Sequence, residues 1–174
     1  MDLHAHTCLS PCADNSMVPR TIVERAKQAG LDAVGICDHN AAANVQAVRE
    51  VGREAGIGVL AGLEVTTAEK IHRLGGLAIA SHVDRQIFSI LSQLGFIPAE
   101  LDLDGVELSR HSGAEEHYEL RSLPVVRSSD AHFPEEIGGA FTTFFVGEAT
   151  VAEIGMALAA RDGRRIVEVR ARDS

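Results

Sequence analysis

Imidazoles and carboxylates recur in this chain in pairs and at the ends of apolar runs, and that placement defines the chemistry available to it. His4 and His6 flank one alanine. On a β-strand, residues two apart project from the same face, so both rings can reach one site. Asp130-Ala131-His132 repeats the pattern at the end of another run. Asp38 and His39 follow a third run, Glu64 sits near the end of a fourth, and His82 follows a fifth. Neutral imidazole with carboxylate suits zinc, iron or manganese, and the lack of a thiolate framework argues against a purely structural zinc site. Carboxylates able to bridge point to more than one ion. Adjacent divalent ions meet the demands of phosphoester hydrolysis: one lowers the pKa of a bound water to give a metal-bound hydroxide, and together they neutralise charge on the phosphoryl oxygens.

For these residues to converge, the fold must bring distant strand ends to one place. Short apolar runs cover residues 2–6, 33–37, 59–65, 77–81, 105–108, 125–128 and 142–146. Helical periodicity lies between them: Ile22, Val23, Ala26 and Ala29 before Gly30; Val45, Val48, Val51 and Ala55 before Gly56; Ile87, Ile90, Leu91 and Leu94 before Gly95; and Ile154, Ala157, Leu158 and Arg161 before Gly163. Strands alternating with helices predict an α/β fold with a parallel sheet. In such folds the C-terminal ends of the strands share one mouth. No linker or low-complexity tract divides the chain, so residues 1–174 are expected to form a single domain.

Composition narrows the function further. A hydrophobic content of 45% over 174 residues fits a globular domain with a real core. The formal net charge of −9 argues against a protein that neutralises many phosphates along a nucleic acid. With no Trp and one Tyr, no basic stripe with interleaved aromatics is evident. A small anionic substrate remains compatible, because bound cations reverse the field of a site locally. No apolar stretch is long enough for a membrane helix and the first residues do not read as a signal peptide, so a cytoplasmic protein without membrane contact is expected. Cys8, Cys12 and Cys37 are too few for a disulfide framework and read as reduced thiols, with Cys8 and Cys12 more readily bystanders than ligands.

With these residues in hand, the sequence resembles the polymerase and histidinol phosphatase family of metal-dependent phosphoesterases, the PHP domains. Asp2-Leu3-His4-Ala5-His6-Thr7 looks like the family's first motif, Asp38-His39-Asn40 like its second, and Gly62-Leu63-Glu64-Val65 like the strand bearing a bridging glutamate. Ser129-Asp130-Ala131-His132 is similar to the last motif, and Ser81-His82 through Arg85 to one in which a ligand histidine is followed by proline and then arginine, with Val83 here in place of the proline. The resemblance implies a distorted (β/α)7 TIM-like barrel and two or three divalent transition-metal ions (Mn, Fe or Zn). The implied ligands are His4, His6, His39, Glu64, His82, Asp130 and His132, with Asp14 a further candidate in the loop after the first motif. Arg85, Asp130 and His132 are the expected catalytic residues, Arg85 gripping a phosphate oxygen with its forked guanidinium.

One interval departs from the pattern. The stretch from Glu64 to His82 is little more than half as long as that from His6 to His39, too short for a further strand and its crossover helix. The sequence therefore predicts either an abbreviated site or a segment missing between Lys70 and Ile71. His72 precedes Leu74-Gly75-Gly76 and reads as part of a helix end. His111 and His117 read as surface residues, Glu107 and Arg110 as a pair with each other or with solvent, and Gly138-Gly139 as a turn. The expected substrate is a small phosphomonoester, a nucleotide or a short oligonucleotide. Two other functions fit less well: metal-dependent amide or ring hydrolysis of the amidohydrolase type, which would not need a phosphate-binding arginine, and a degenerate module that holds metal without catalysis.

Overall fold

The computed structural model describes residues 1–64, 71–111 and 119–171. Its elements alternate as the apolar runs require: β1 (Asp2–Ala5), α1 (Pro19–Gln28), β2 (Ala33–Ile36), α2 (Val45–Ala55), β3 (Gly58–Ala61), β4 (Ile79–Ala80), α3 (Ile90–Leu94), β5 (Gly105–Leu108), β6 (Val125–Arg127), β7 (Ala140–Phe145), α4 (Val151–Leu158) and β8 (Arg165–Ala171). Local chemistry sets the helix ends. Pro19 opens α1, where its missing N–H costs nothing, and Arg25 and Lys27 complement the negative end of the helix. Gly56 closes α2 in the left-handed region at φ 76°. The Thr150 side chain caps α4 by accepting from the Glu153 amide.

Two parallel three-stranded sheets, β1-β2-β3 and β4-β5-β6, carry the site. They are joined on one side. The His6 amide donates to the Ala131 carbonyl at 2.9 Å, and a parallel bridge pairs Ala5 with Ala131. Thr142 of β7 links the same seam, exchanging backbone hydrogen bonds with Met1 and accepting at its hydroxyl from the Arg127 amide. On the other side, β3 and β4 share no ladder among the described residues. The described strands thus form an α/β wall of two joined parallel sheets, and among the described residues the pairing does not close into a ring. The expected break beside Lys70 falls in residues 65–70, outside the described residues.

The last apolar run also behaves differently from expectation. β7 pairs antiparallel with β8, so it ends the parallel series. Apolar Phe144 and Ile166 from this hairpin pack with Ile154 and Leu158 of α4, against Leu60 and Val126 of the wall. On the outer face, α1 and α2 cover β1 and β2 through Ile22, Val23, Ala26, Val45 and Val48 against Val34 and Ile36. Each such fully buried side chain contributes roughly 1.5–3 kcal/mol relative to exposure. Gly35 allows β1 and β2 to approach, since a Cβ there would lie 2.3 Å from the Leu3 carbonyl oxygen. No helix among the described residues is long and apolar enough to cross a membrane.

Candidate metal centre

Strand pairing continues past the ends of β2 and β3 and sets two donors side by side. A parallel bridge joins His39 to Glu64, with the Asn40 amide donating to the Glu64 carbonyl at 3.1 Å. The Glu64 carboxylate then meets four imidazoles: His39 at 3.1 Å, His82 at 3.4 Å, His6 at 3.5 Å and His4 at 3.6 Å. Asp130 joins from the seam, 3.1 Å from His6 Nε2 and 3.5 Å from His4 Nε2, and its Oδ1 lies 3.7 Å from His132 Nδ1. His4, His6, His39, Glu64, His82, Asp130 and His132 are therefore gathered at one mouth. Both Asp130 (φ 49°) and His82 (φ 33°) sit in the left-handed region, which turns their side chains inward at the strand ends. Such backbone costs on the order of 1–3 kcal/mol per residue and persists where the surroundings enforce it.

Each buried ring is oriented by a second group. His4 Nδ1 donates to Glu107 of β5 at 3.1 Å, which directs Nε2 into the mouth. Glu107 is only 4% exposed and also accepts from the His82 amide. The expectation that Glu107 pairs with Arg110 or solvent is corrected here: Arg110 instead pairs with Glu136. Glu107 was hidden in the sequence because an inward-facing strand glutamate carries no local mark of its partner. His6 Nδ1 lies 3.0 Å from the Ser10 hydroxyl, which donates to Asp38 at 2.8 Å. Asp38 is spent on that role, accepting also from the Thr7 amide and hydroxyl. His132 Nδ1 donates to the Asp130 carbonyl at 2.7 Å, which leaves Nε2 to the loop that carries Cys12. Carboxylates or carbonyls behind a ligand histidine are the usual device for fixing its tautomer.

The electrostatics follow from this crowding. Burial alone would raise Glu64, yet hydrogen bonds from His4 and His82 and the positive field of His4 and His39 hold its carboxyl well below the usual range. Burial likewise opposes ionisation of Asp130, but His6, His4, Arg85 and His132 bring it down to about 2. For His4, burial disfavours the charged ring and the Glu107 carboxylate overcomes it, pushing the imidazole well above its ordinary value. Burial depresses His6. His4 Nε2, in a residue 3% exposed, stands 3.6 Å from Glu64 and 3.5 Å from Asp130, and His82 Nδ1 meets no hydrogen-bond partner among the described residues. A buried imidazole nitrogen facing two carboxylates, as His4 Nε2 does, with the ring centroids of His4 and His6 only 5.1 Å apart, fits a cation between these groups better than direct contact among them. His4, His6 and Glu64 each present a donor within 4.8 Å of the others, and His6, Cys12, His39 and His132 do the same.

Other expected residues fall elsewhere. Asp14 is not brought to the mouth, because its carboxylate turns back to accept from the Ser16 amide and hydroxyl. Cys12, read from the sequence as a bystander, stands at the mouth where Asp14 was expected, with Sγ 3.1 Å from His132 Nε2. Its two-turn offset within the loop after β1 is fixed by backbone bonds that no side-chain type announces. Arg85 Nη2 lies against Asp130 Oδ2, and the side chain is 37% exposed at the rim. His72 bonds Asp104 at 2.8 Å, away from the mouth. His111 is exposed beside Arg110, and His117 lies outside the described residues. Gly138 forms a turn whose amide donates to Asp2 at 3.0 Å.

The chain matches the PHP domain model over residues 2–131 and the PHP-associated model over residues 110–162. It is 32% identical over 138 residues to MJ1587, an uncharacterized protein of Methanocaldococcus jannaschii, covering 62% of this chain and 79% of that protein. It is 33% identical over 79 residues to the phosphoribosyl 1,2-cyclic phosphate 1,2-diphosphodiesterase of Eggerthella lenta, a match covering 42% of this chain and 29% of the relative. Among solved structures, the lesion-specific endonuclease PfuEndoQ from Pyrococcus furiosus superposes with a TM-score of 0.71 at 21% identity, covering 99% of this chain. The chain spans 58% of that endonuclease's length, so the likeness speaks for the fold. With the family model matched across its strands and through Ala131, the chain belongs to the PHP domain family.

Proposed function

We propose that this chain is a metal-dependent phosphoester hydrolase whose substrate is a small phosphomonoester or a nucleotide. The observation that carries the reading is the Glu64 carboxylate set among His4, His6, His39 and His82 at 3.1–3.6 Å, with Asp130 facing it. His4, His6, Glu64, His82, Asp130, His39 and His132 would hold two or three divalent ions. Bound ions would supply Lewis acidity toward the phosphoryl oxygens and lower the pKa of water at the site. The chain's own residues do the rest. Glu107 and the Ser10–Asp38 pair hold His4 and His6 in orientation. Arg85, at the rim, exchanges its contact with Asp130 for a phosphate oxygen when substrate enters.

A cavity of about 540 Å³ opens from His4, Glu64 and Glu107 and is walled by Leu3, Ala61, Leu77, Ile79, Val126 and Ile154. Its size and apolar lining suit the organic part of a nucleotide or comparable ester. The name of the Eggerthella lenta relative, and that of a 5'-3' exoribonuclease of Haemophilus influenzae 32% identical over 66 residues, support phosphoester substrates. The net charge of −9 favours a small substrate over a long nucleic acid. Arg85 at the rim favours phosphate over the amide substrates of amidohydrolase chemistry.

The test is metal analysis with a substrate panel. Protein loaded in turn with manganese, iron and zinc should retain two or three equivalents and cleave a phosphomonoester or a nucleotide faster than an amide or an abasic DNA duplex. Less than one equivalent under every loading, or turnover of the amide alone, refutes the proposal.

A further inference from the structure

The thiol of Cys12 has no place in the family pattern read from the sequence, yet it stands where a ligand would. The loop between β1 and α1 folds through consecutive turns, with the Ser10 amide on the Thr7 carbonyl and the Ala13 amide on the Ser10 carbonyl. The Asp14 amide donates to the His132 carbonyl at 2.8 Å and pins the loop over the mouth. This puts Cys12 Sγ 3.1 Å from His132 Nε2, the nitrogen left available because Nδ1 is committed to the Asp130 carbonyl. Three further observations make this more than a cysteine near a histidine. His6, His39 and His132 each present a donor that lies, with the sulfur, inside a 4.8 Å span. The rings of His6 and His132 are 4.4 Å apart, and those of His6 and His39 are 4.8 Å apart. His6 is fully buried, with Nδ1 held by Ser10 and Nε2 3.1 Å from Asp130 Oδ1, so the same ring borders both the inner carboxylates and this outer set.

A thiol is a weak hydrogen-bond donor, whereas a thiolate is a strong ligand for soft and borderline ions. One sulfur with imidazoles at this separation matches a tetrahedral site better than the oxygen-rich octahedral site favoured by manganese or magnesium. We infer that Cys12 is a thiolate ligand of an outer ion held with His39 and His132. That outer position is selective for zinc-like ions over manganese, while the oxygen-bearing inner group around Glu64 and Asp130 is not. The inference rests on the metal-centre reading above and adds a ligand and a selectivity that the imidazoles and carboxylates do not supply.

Cobalt(II) is the ion to use, because cobalt–thiolate bonds absorb strongly in the near ultraviolet and cobalt–imidazole or cobalt–carboxylate bonds do not. Cobalt-loaded wild-type protein should show the charge-transfer band, and Cys12→Ser should lose it together with one equivalent of cobalt. Zinc affinity at that position should fall by at least about tenfold in competition with a chelator, while manganese binding changes little. Cys12 is exposed, so the substitution removes nothing from the core. Cys12→His should restore the lost equivalent without the band, and Cys8→Ala should keep both. Cobalt bound without the band in wild type, or a band that survives Cys12→Ser, overturns the role of Cys12 and leaves the metal centre standing. No bound metal under any loading overturns both.

Discussion

The mouth has an inner and an outer half, and they are built by opposite means. His4, His6, Glu64, His82 and Asp130 have side chains no more than 19% exposed, and contacts from far along the chain hold them. Glu107 reaches His4 across 103 positions, and Asp130 reaches His6 across 124. Of the outer residues, His39 and Cys12 are more open, and His132, 20% exposed, hangs on a backbone bond of its own loop, Nδ1 on the carbonyl two residues before it. Buried donors need partners to stay aligned, because an unsatisfied group there costs about 1–3 kcal/mol. Exposed donors have water to fall back on. The inner half should therefore be the rigid part that defines the chemistry, and the outer half the part whose occupancy is adjustable.

The largest expected effect comes from removing a ligand from each half. Asp130→Ala and His132→Ala should both reduce phosphoesterase activity to the assay floor. Elemental analysis separates them: Asp130→Ala should empty the inner group as well, while His132→Ala should keep the inner equivalents. Equal metal loss in both would erase the distinction between the halves.

Glu107→Gln should come next, lowering activity or inner-ion affinity by about 10–100-fold, since it touches no substrate and acts by orienting His4. A pH–rate profile displaced along with the loss would mark the orienting role, and a purely structural change would shift only the melting temperature. Arg85→Ala should be milder, about tenfold in kcat/KM from loss of one charged contact to phosphate, with metal content unchanged. An Arg85→Ala variant equal to wild type on every phosphorylated substrate would remove the arginine from the mechanism.

The smallest effect is on the stability of metal-free protein in acid. Asp130 titrates near 2 when folded and near 3.8 otherwise, so its ionised form stabilises the fold above about pH 4, and that contribution is lost as pH falls through about 2. The contribution is on the order of 2 kcal/mol. Denaturant unfolding of the metal-free wild type and Asp130→Asn should differ at pH 6 and converge near pH 2. A gap that persists at pH 2 would assign the effect to packing.

Much of the inner half could be read from residue types. His4-Ala5-His6 and Asp130-Ala131-His132 announce themselves because the two-residue period of a strand and the ends of apolar runs are both local features. What escaped was set by tertiary contact. Glu107 gives no sign that its partner is His4, and choosing Asp14 over Cys12 weighed a carboxylate against a thiol where only the turns at Ser10 and Ala13 decide which is aimed inward. The antiparallel turn of β7 onto β8 also lay beyond periodicity. An apolar run such as residues 142–146 has the same pattern in either direction of pairing.

The fully buried carboxylate of Asp2 accepts at 3.0 Å from the amides of both Ser129 and Gly138, across separations of 127 and 136 positions. Contacts this distant require a very large loop to close before they return any stability, and topology of that kind slows folding. The helices α1 and α2 and the β1-β2-β3 sheet can condense from the first third of the chain alone. The mouth cannot, because its Asp130 side arrives only when the chain around residues 129–138 docks onto Asp2. On a ribosome the metal centre would therefore be completed only once residues 129–138 have emerged, well after the β1-β2-β3 sheet. Until then the histidines of β1 would face solvent with no carboxylate from the seam to meet them.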